Sequence, residues 1–121
     1  MKNILLVFVG GGIGSVFRYV LSTFFTASAN TFPYATLIVN ISGSLLIGIL
    51  TGIFISESAA NESWKLLLIA GFCGGFTTFS AFSKESFVMI QQQQYGMLAL
   101  YVLLSVVVCI GAAATGFFIA K

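Results

Sequence analysis

The sequence predicts an all-α integral membrane protein with four membrane-spanning helices. Of its 121 residues, 59% are hydrophobic and only 7% are charged, whereas soluble domains carry about 25% charged residues. Four long apolar runs alternate with short polar breaks, and each run is near or above the roughly 20 residues that a helix needs to cross a bilayer core. We expect one membrane domain over residues 1–121, with spans at about residues 4–25, 35–56, 66–83 (continuing past a break) and 95–120.

The first span imitates a secretory signal. Lys2 precedes an apolar run, and the small residues Ala27, Ser28 and Ala29 look like a cleavage site. A signal core is only about 7–15 residues long and lacks interior charge, whereas this run is longer and contains four glycines and Arg18. We therefore predict a retained span.

The second span follows Pro33 and carries a polar stripe at helical spacing. Asn40 lies at its centre, and an amide in hydrocarbon costs several kcal/mol unless it is hydrogen-bonded. The stripe must therefore face protein or water, either as a helix–helix contact or as the wall of a polar path. Its members are Thr36, Asn40, Gly43, Ser44, Gly48 and Thr51.

The third span contains the segment GFCGGFTTFSAF, residues 71–82. Glycine costs about 1 kcal/mol relative to Ala in a helix, so three glycines in five residues predict a break near Gly74–Thr77. A break would free carbonyls for a cation and a half-helix N-terminus for an anion. Phe79 and Phe82 follow at i and i+3, and their electropositive ring edges suit a small anion; the alternative is ordinary core packing.

The fourth span repeats the stripe with Tyr101, Ser105, Cys109, Ala112 and Gly116. Packing alone would explain one such stripe, but two stripes together with the hydroxyls after Gly75 predict a narrow wet path. Cys73 and Cys109 have no neighbouring His or acid in the sequence, so we interpret them as packing residues and not as metal ligands.

The chain lacks the residues that several classes of function require. It has no histidine, and its three glutamates lie outside the centres of the predicted spans, whereas proton-coupled transport normally needs a titratable group on the path. The run GGGIGS lacks the spacing and the preceding strand of a dinucleotide site, and no nucleophile has a base partner. Passive conduction is favoured over pumping, and we predict no enzymatic activity.

The Lys and Arg residues are divided almost evenly between the two predicted sides of the membrane, so they impose little bias on the orientation of the chain. Lys2, Lys65 and Lys121 fall on one predicted side, and Arg18 and Lys84 on the other. The chain would then insert both ways and form an antiparallel pair, unless Arg18 is buried and leaves a weak bias to one orientation. Three small-xxx-small glycine pairs, at positions 10/14, 48/52 and 71/75, favour close helix contacts and an oligomer.

Three motifs resemble those of the CrcB/Fluc-type fluoride channels. They are GGGIGSVFRY in span one, ATLIVNISG in span two and GFCGGFTTFSAFSKE in span three. The resemblance covers essentially the whole chain. It implies a dual-topology antiparallel homodimer in the cytoplasmic membrane, two passive fluoride pores between the subunits, and a structural sodium ion at the dimer centre.

The resemblance also implies roles for individual residues. It makes Asn40, Phe79 and Phe82 the central pore residues, Gly74 and Thr77 the carbonyl ligands of sodium, Arg18 the residue at the anion entrance, and Glu85 the acid at the end of the pore segment. Hydroxyl donors along the path would be Ser80, Tyr101, Ser105 and, less directly, Thr36. The chain departs from the family pattern at Ala35, Ala81 and Cys109, which affects the outer parts of the polar track.

Two alternatives remain at this point. Small multidrug-resistance exporters are also dual-topology dimers, but they need a glutamate in span one, where this chain has Arg18 and no acid. A non-conducting membrane scaffold would use the same polar stripes as helix–helix contacts.

Overall fold

The computed structural model describes residues 1–25, 31–55 and 61–121, and the structural statements below concern those residues. Within them, four helical spans are long and apolar enough to cross a membrane. This confirms the predicted all-α membrane fold. The Ala27–Ala29 triplet and the predicted end of span two at residue 56 lie outside the described residues.

The four spans begin within four residues of the predicted positions, and the third continues past its break to Gln91, beyond the predicted residue 83. Helix α1 covers Lys2–Thr23, and α2 covers Tyr34–Phe54 with Pro33 at its N-cap. The third span runs over Glu62–Gln91 in two halves, and the fourth is the single helix α5, Tyr95–Ala120. Proline suits the start of α2 because the first N–H groups of a helix have no intrahelical partner.

The two halves of the third span differ in geometry. The first half, α3, starts as an α-helical turn at Glu62–Trp64, widens to a π-helix over Lys65–Cys73, and closes with a turn at Gly74–Phe76. The second half, α4, covers Phe79–Gln91. Thr77 and Thr78 between them have extended backbone angles.

The break therefore lies at Thr77 and Thr78, just after the glycines that predicted it. Gly74 has helical angles, φ −62° and ψ −37°. Gly71 and Gly75 instead allow close contact with α1, because a Cβ at Gly75 would overlap the backbone of Gly11 and one at Gly71 would lie 3.0 Å from Gly10 Cα.

Glycines also join α1 to α3 from the α1 side. A Cβ at Gly10 would overlap the carbonyl oxygen of Leu67, and one at Gly14 would overlap that of Phe72. Since both neighbours are backbone atoms, neither can rotate away. These contacts fix α1 along the first half of the third span.

Glycines also allow close backbone contact between α2 and α5. A Cβ at Gly48 would overlap the carbonyl of Ala113, and one at Gly116 would overlap that of Leu45. Gly48 and Gly116, one in each polar stripe, therefore make close helix–helix contacts, as the packing alternative predicts. The parts of the stripes from Thr36 to Ser44 and from Tyr101 to Cys109 remain available for a polar path.

The turn between α4 and α5 ends α4 with a left-handed residue. Gln93 has φ 57°, while the Gln94 N–H donates to Met89 O at 2.9 Å and the Gln93 N–H donates to Ile90 O at 3.0 Å. This is a Schellman-type C-cap, in which the left-handed position usually holds glycine.

Candidate functional site

Asn40 bridges the break in the third span. Its Nδ2 donates to the carbonyl oxygen of Thr78 at 3.0 Å, and its Oδ1 accepts from the Thr78 N–H at 2.8 Å. One carboxamide thus pairs with both backbone groups of one residue. The amide orientation is fixed by this pairing, because the reversed amide would place donor against donor.

Gly43, one turn after Asn40 on α2, makes room for the same break. A Cβ at Gly43 would overlap Thr77 Cγ2 and lie 3.1 Å from Phe76 Cδ1. Asn40 and Gly43 together explain why this face of α2 is polar and small. They let the extended Thr77–Thr78 segment lie directly against it.

Two carbonyls at the break lose their usual helical donors. In an unbroken helix the N–H of Thr78 would donate to Gly74 O, and that of Ala81 would donate to Thr77 O. Here the Thr78 N–H donates to Asn40, and the Ala81 N–H donates to Thr78 Oγ1 at 3.2 Å as an N-cap bond of α4. The predicted carbonyl pair, Gly74 and Thr77, is therefore at the break, although side chains and not glycine flexibility release it.

A row of aromatic rings begins at the break. Phe79 and Phe82 lie 5.5 Å apart between centroids, and Phe82 lies 5.1 Å from Tyr101. Tyr101 is completely buried, whereas Phe79 is 78% exposed on this chain. The predicted i, i+3 pair does share one face of α4, and its first ring is left uncovered.

Glu85 binds two of the predicted hydroxyls. Thr36 Oγ1 donates to Glu85 Oε1 at 2.6 Å, and Tyr101 OH donates to Glu85 Oε2 at 2.6 Å. These short hydrogen bonds join α2, α4 and α5 beyond the rings. Sequence reasoning placed Glu85 only at the end of the segment; its spacing of three from Phe82 is the signal that could have put it on the same helix face.

The remaining hydroxyls divide into two groups. Exposed ones on the spans donate to carbonyls of their own helix, as Ser42 does to Ile38 O at 2.7 Å and Thr51 to Ile47 O at 2.6 Å. Ser105 Oγ is buried without a hydrogen-bond partner in the described part of the chain, and Ser80 Oγ lies 3.1 Å from Thr78 Oγ1. Ser105 and Ser80 are thus two predicted hydroxyls that, in the described part of the chain, make no bond to a carbonyl of their own helix. Ser86 Oγ is likewise buried there without a partner.

The structure brings nearly all the predicted site residues to one region. The break, the rings and Glu85 are contributed by α2, α3, α4 and α5. Arg18 lies on α1, which packs against α3, and takes no part in the hydrogen bonds of this cluster; its predicted place at an anion entrance stays a prediction. Thr51, the last residue of the span-two stripe, lies outside the cluster because its hydroxyl is exposed and bonds to its own helix.

Comparison with known proteins agrees with this arrangement. The family model of CrcB-like proteins, described as Camphor Resistance (CrcB), matches residues 5–117. The chain belongs to the CrcB family. Among its curated CrcB relatives, "Fluoride-specific ion channel FluC" of Flavobacterium psychrophilum is 44% identical over 100% of this chain and 98% of the relative.

Two further CrcB relatives carry the same name. The protein of Coxiella burnetii is 46% identical over 98% of each chain, and that of Leptospira interrogans is 44% identical over 99% of this chain and 95% of the relative. The similarity therefore extends over all four spans.

Within this CrcB fold, the three sequence motifs meet at two places. GGGIGSVFRY supplies the α1 glycines that contact α3, while ATLIVNISG supplies Asn40 and Gly43 against the break in GFCGGFTTFSAFSKE. The motifs thus mark the contacts that shape the break and not only the residues with polar side chains.

Proposed function

We propose that this CrcB protein is a passive fluoride channel of the cytoplasmic membrane. The observation that carries the proposal is the full-length similarity to relatives named fluoride-specific ion channels. The geometry supports it, because donors and ring edges suited to a small anion gather where the third span breaks.

The donors for an anion come from different kinds of group. One Nδ2 hydrogen of Asn40 bonds to the carbonyl oxygen of Thr78, and the second is available to an anion. Ser105 offers a buried hydroxyl with no hydrogen-bond partner among the described residues, and Ser80 lies at the first turn of α4, where the helix dipole favours negative charge. Phe79 and Phe82 add electropositive ring edges between these donors. Together they would replace part of the hydration shell of fluoride without any titratable base.

The channel is proposed to be an antiparallel homodimer with a pore on each side of its axis. A single chain leaves Phe79 78% exposed, and it leaves Gly74, whose carbonyl has lost its helical donor, exposed as well. Backbone of this kind at membrane depth is tolerated only where protein or a water-filled cavity covers it. A second copy would cover it, and the near balance of Lys and Arg between the two sides allows that copy to insert the other way up.

A sodium ion is proposed to bind the carbonyl oxygens of Gly74 and Thr77 in both copies. The residues fit such an ion, since these carbonyls have lost their helical donors and hard cations prefer oxygen ligands. When bound, the ion would supply positive charge that holds the two breaks together. We expect it to be structural and to exchange slowly.

Ion flux from proteoliposomes tests the proposal. Liposomes containing the purified protein are loaded with equal concentrations of potassium fluoride and potassium chloride, and the efflux of each anion is followed with its own electrode after valinomycin is added to let potassium leave. We expect rapid fluoride release with chloride retained. Ser42→Ala serves as the matched control, because its hydroxyl bonds only to its own helix and its loss should leave flux unchanged. Retention of both anions would support the scaffold alternative, and equal release would remove fluoride specificity.

A further inference from the structure

We infer that Asn40 is a positioning residue that holds the helix break and keeps the Gly74 carbonyl available to a cation. The inference rests on the proposed function for the cation itself, but its first part, the effect on the break, stands on the geometry alone. Asn40 would thus act on the centre of the dimer through Thr78, in addition to any contact with the anion.

The pairing between Asn40 and Thr78 decides which way the chain goes after Phe76. Thr78 is 8% exposed and has φ −150° and ψ 118°, angles at which its N–H and C=O point sideways from the chain and not along a helix axis. Both groups meet the Asn40 carboxamide on α2. Because buried backbone groups need partners, the extended conformation of Thr78 depends on a side chain that both accepts and donates at this position.

Removing the carboxamide would leave the Thr78 N–H without its acceptor. The nearest alternative partner in sequence is the carbonyl of Gly74, four residues earlier, which is the bond of an unbroken helix. Gly74 already has helical angles, and the preceding N–H, that of Thr77, already donates to Cys73 O at 2.9 Å. The helix would take up the Gly74 carbonyl by one further bond, once Thr77 ψ turns from 158° to a helical value. Asn40 prevents that bond by occupying the Thr78 N–H.

A single NMR signal can follow both ends of this coupling. Thr77–Thr78 is the one Thr–Thr pair in the 121-residue sequence, so labelling with [¹³C′]Thr and [¹⁵N]Thr gives one carbonyl–amide cross peak. Its amide frequencies report the Thr78 N–H, and its carbonyl frequency reports Thr77, one of the proposed cation ligands. The intact protein in detergent is measured for amide hydrogen exchange and then titrated with sodium against a large organic cation.

Asn40→Leu keeps the branched shape of the side chain and removes both hydrogen bonds, and Asn40→Ser, which is smaller, is the second variant should the first fail to assemble. We expect exchange of the Thr78 N–H to be about tenfold faster in either variant, which corresponds to about 1.4 kcal/mol and lies within the range for one lost hydrogen bond. The sodium concentration at half-maximal carbonyl shift should rise by a similar factor. Ser42→Ala controls for a hydroxyl on the same helix, and Gly48→Ala for general destabilisation away from the break.

The outcomes separate this inference from the proposed function. Exchange in the Asn40 variants that matches the Gly48→Ala control would overturn the positioning role. Faster exchange with an unchanged sodium midpoint would overturn the link to Gly74. A carbonyl signal that ignores sodium in the unsubstituted protein would refute the proposed cation site and the link with it, while faster exchange in the variants would still support the hold on the break.

Discussion

Replacing Gly48 with alanine should separate α2 from α5. An added Cβ would overlap the carbonyl oxygen of Ala113 and lie 2.9 Å from its carbonyl carbon and 3.0 Å from its Cα. Ordinary contacts of a Cβ begin near 3.4 Å, so the carbonyl carbon alone requires a shift of about 0.5 Å, and the oxygen requires more. All three atoms are backbone, so no rotamer change can relieve the overlap.

The expected loss can be isolated with a matched variant. Gly111 also lies within α5, but a Cβ there meets nothing within 4 Å in the described chain. Both Gly48→Ala and Gly111→Ala gain about 1 kcal/mol of helix propensity. The difference in unfolding free energy between them therefore isolates the steric term, which we expect to be about 2 kcal/mol, within the range known for overpacked cores.

Reversible unfolding in mixed micelles, followed by helical circular dichroism, measures that difference. Ala113→Gly in the Gly48→Ala background should give no rescue, because the overlapped atoms belong to the Ala113 backbone. Equal stability of the two single variants would show that α2 and α5 are not in backbone contact at Gly48. Recovery by Ala113→Gly would mean that the contact is made by side chains.

Three further predictions concern the path, the turn and the topology. Phe79→Ile and Phe82→Ile keep apolar bulk but remove the ring edge, so fluoride flux should fall by an order of magnitude or more while the dimer still forms; normal flux in both would leave these rings as packing residues. Gln93→Gly should raise the unfolding free energy by about 1 kcal/mol, since glycine adopts a left-handed conformation without steric cost, and an unchanged unfolding midpoint would count against that strain. Lysines added to the loop at 58–63, which the structure describes from residue 61, or near residues 91–94 should fix opposite orientations; each variant should be inactive alone and active when co-expressed, whereas full activity of one alone would contradict the antiparallel pair.

The fold was predictable from sequence because its strongest signals are local. Apolar run lengths gave the starts of the four spans to within four residues, and Pro33 marked the start of α2. The glycines of residues 71–75 predicted a break in the right place for a partly different reason, since they remain helical and serve contacts with α1. Sequence spacing cannot distinguish a glycine that loosens its own helix from one that admits a neighbouring helix, because the difference lies in the partner.

The candidate site was predictable as a set of residues but not as a set of bonds. The helical stripes brought Asn40 and Tyr101 into the prediction, the i, i+3 spacing with Phe79 brought in Phe82, and the structure places all three around the break. The pairing of Asn40 with Thr78 depends on how deep α2 lies against α4, which no local pattern records. The same holds for Glu85, whose hydroxyl partners come from two other spans, at sequence separations of 49 and 16.

Electrical coupling of fluoride efflux tests the central claim most directly. Proteoliposomes loaded with potassium fluoride are diluted into medium free of both ions, and external fluoride is recorded before and after valinomycin. A passive channel moves net negative charge, so fluoride should stay inside until valinomycin lets potassium leave, and then escape quickly; potassium chloride liposomes should release little chloride under the same treatment. Rapid fluoride efflux before valinomycin would indicate electroneutral transport, and no efflux after it would show that the polar region at the break does not conduct.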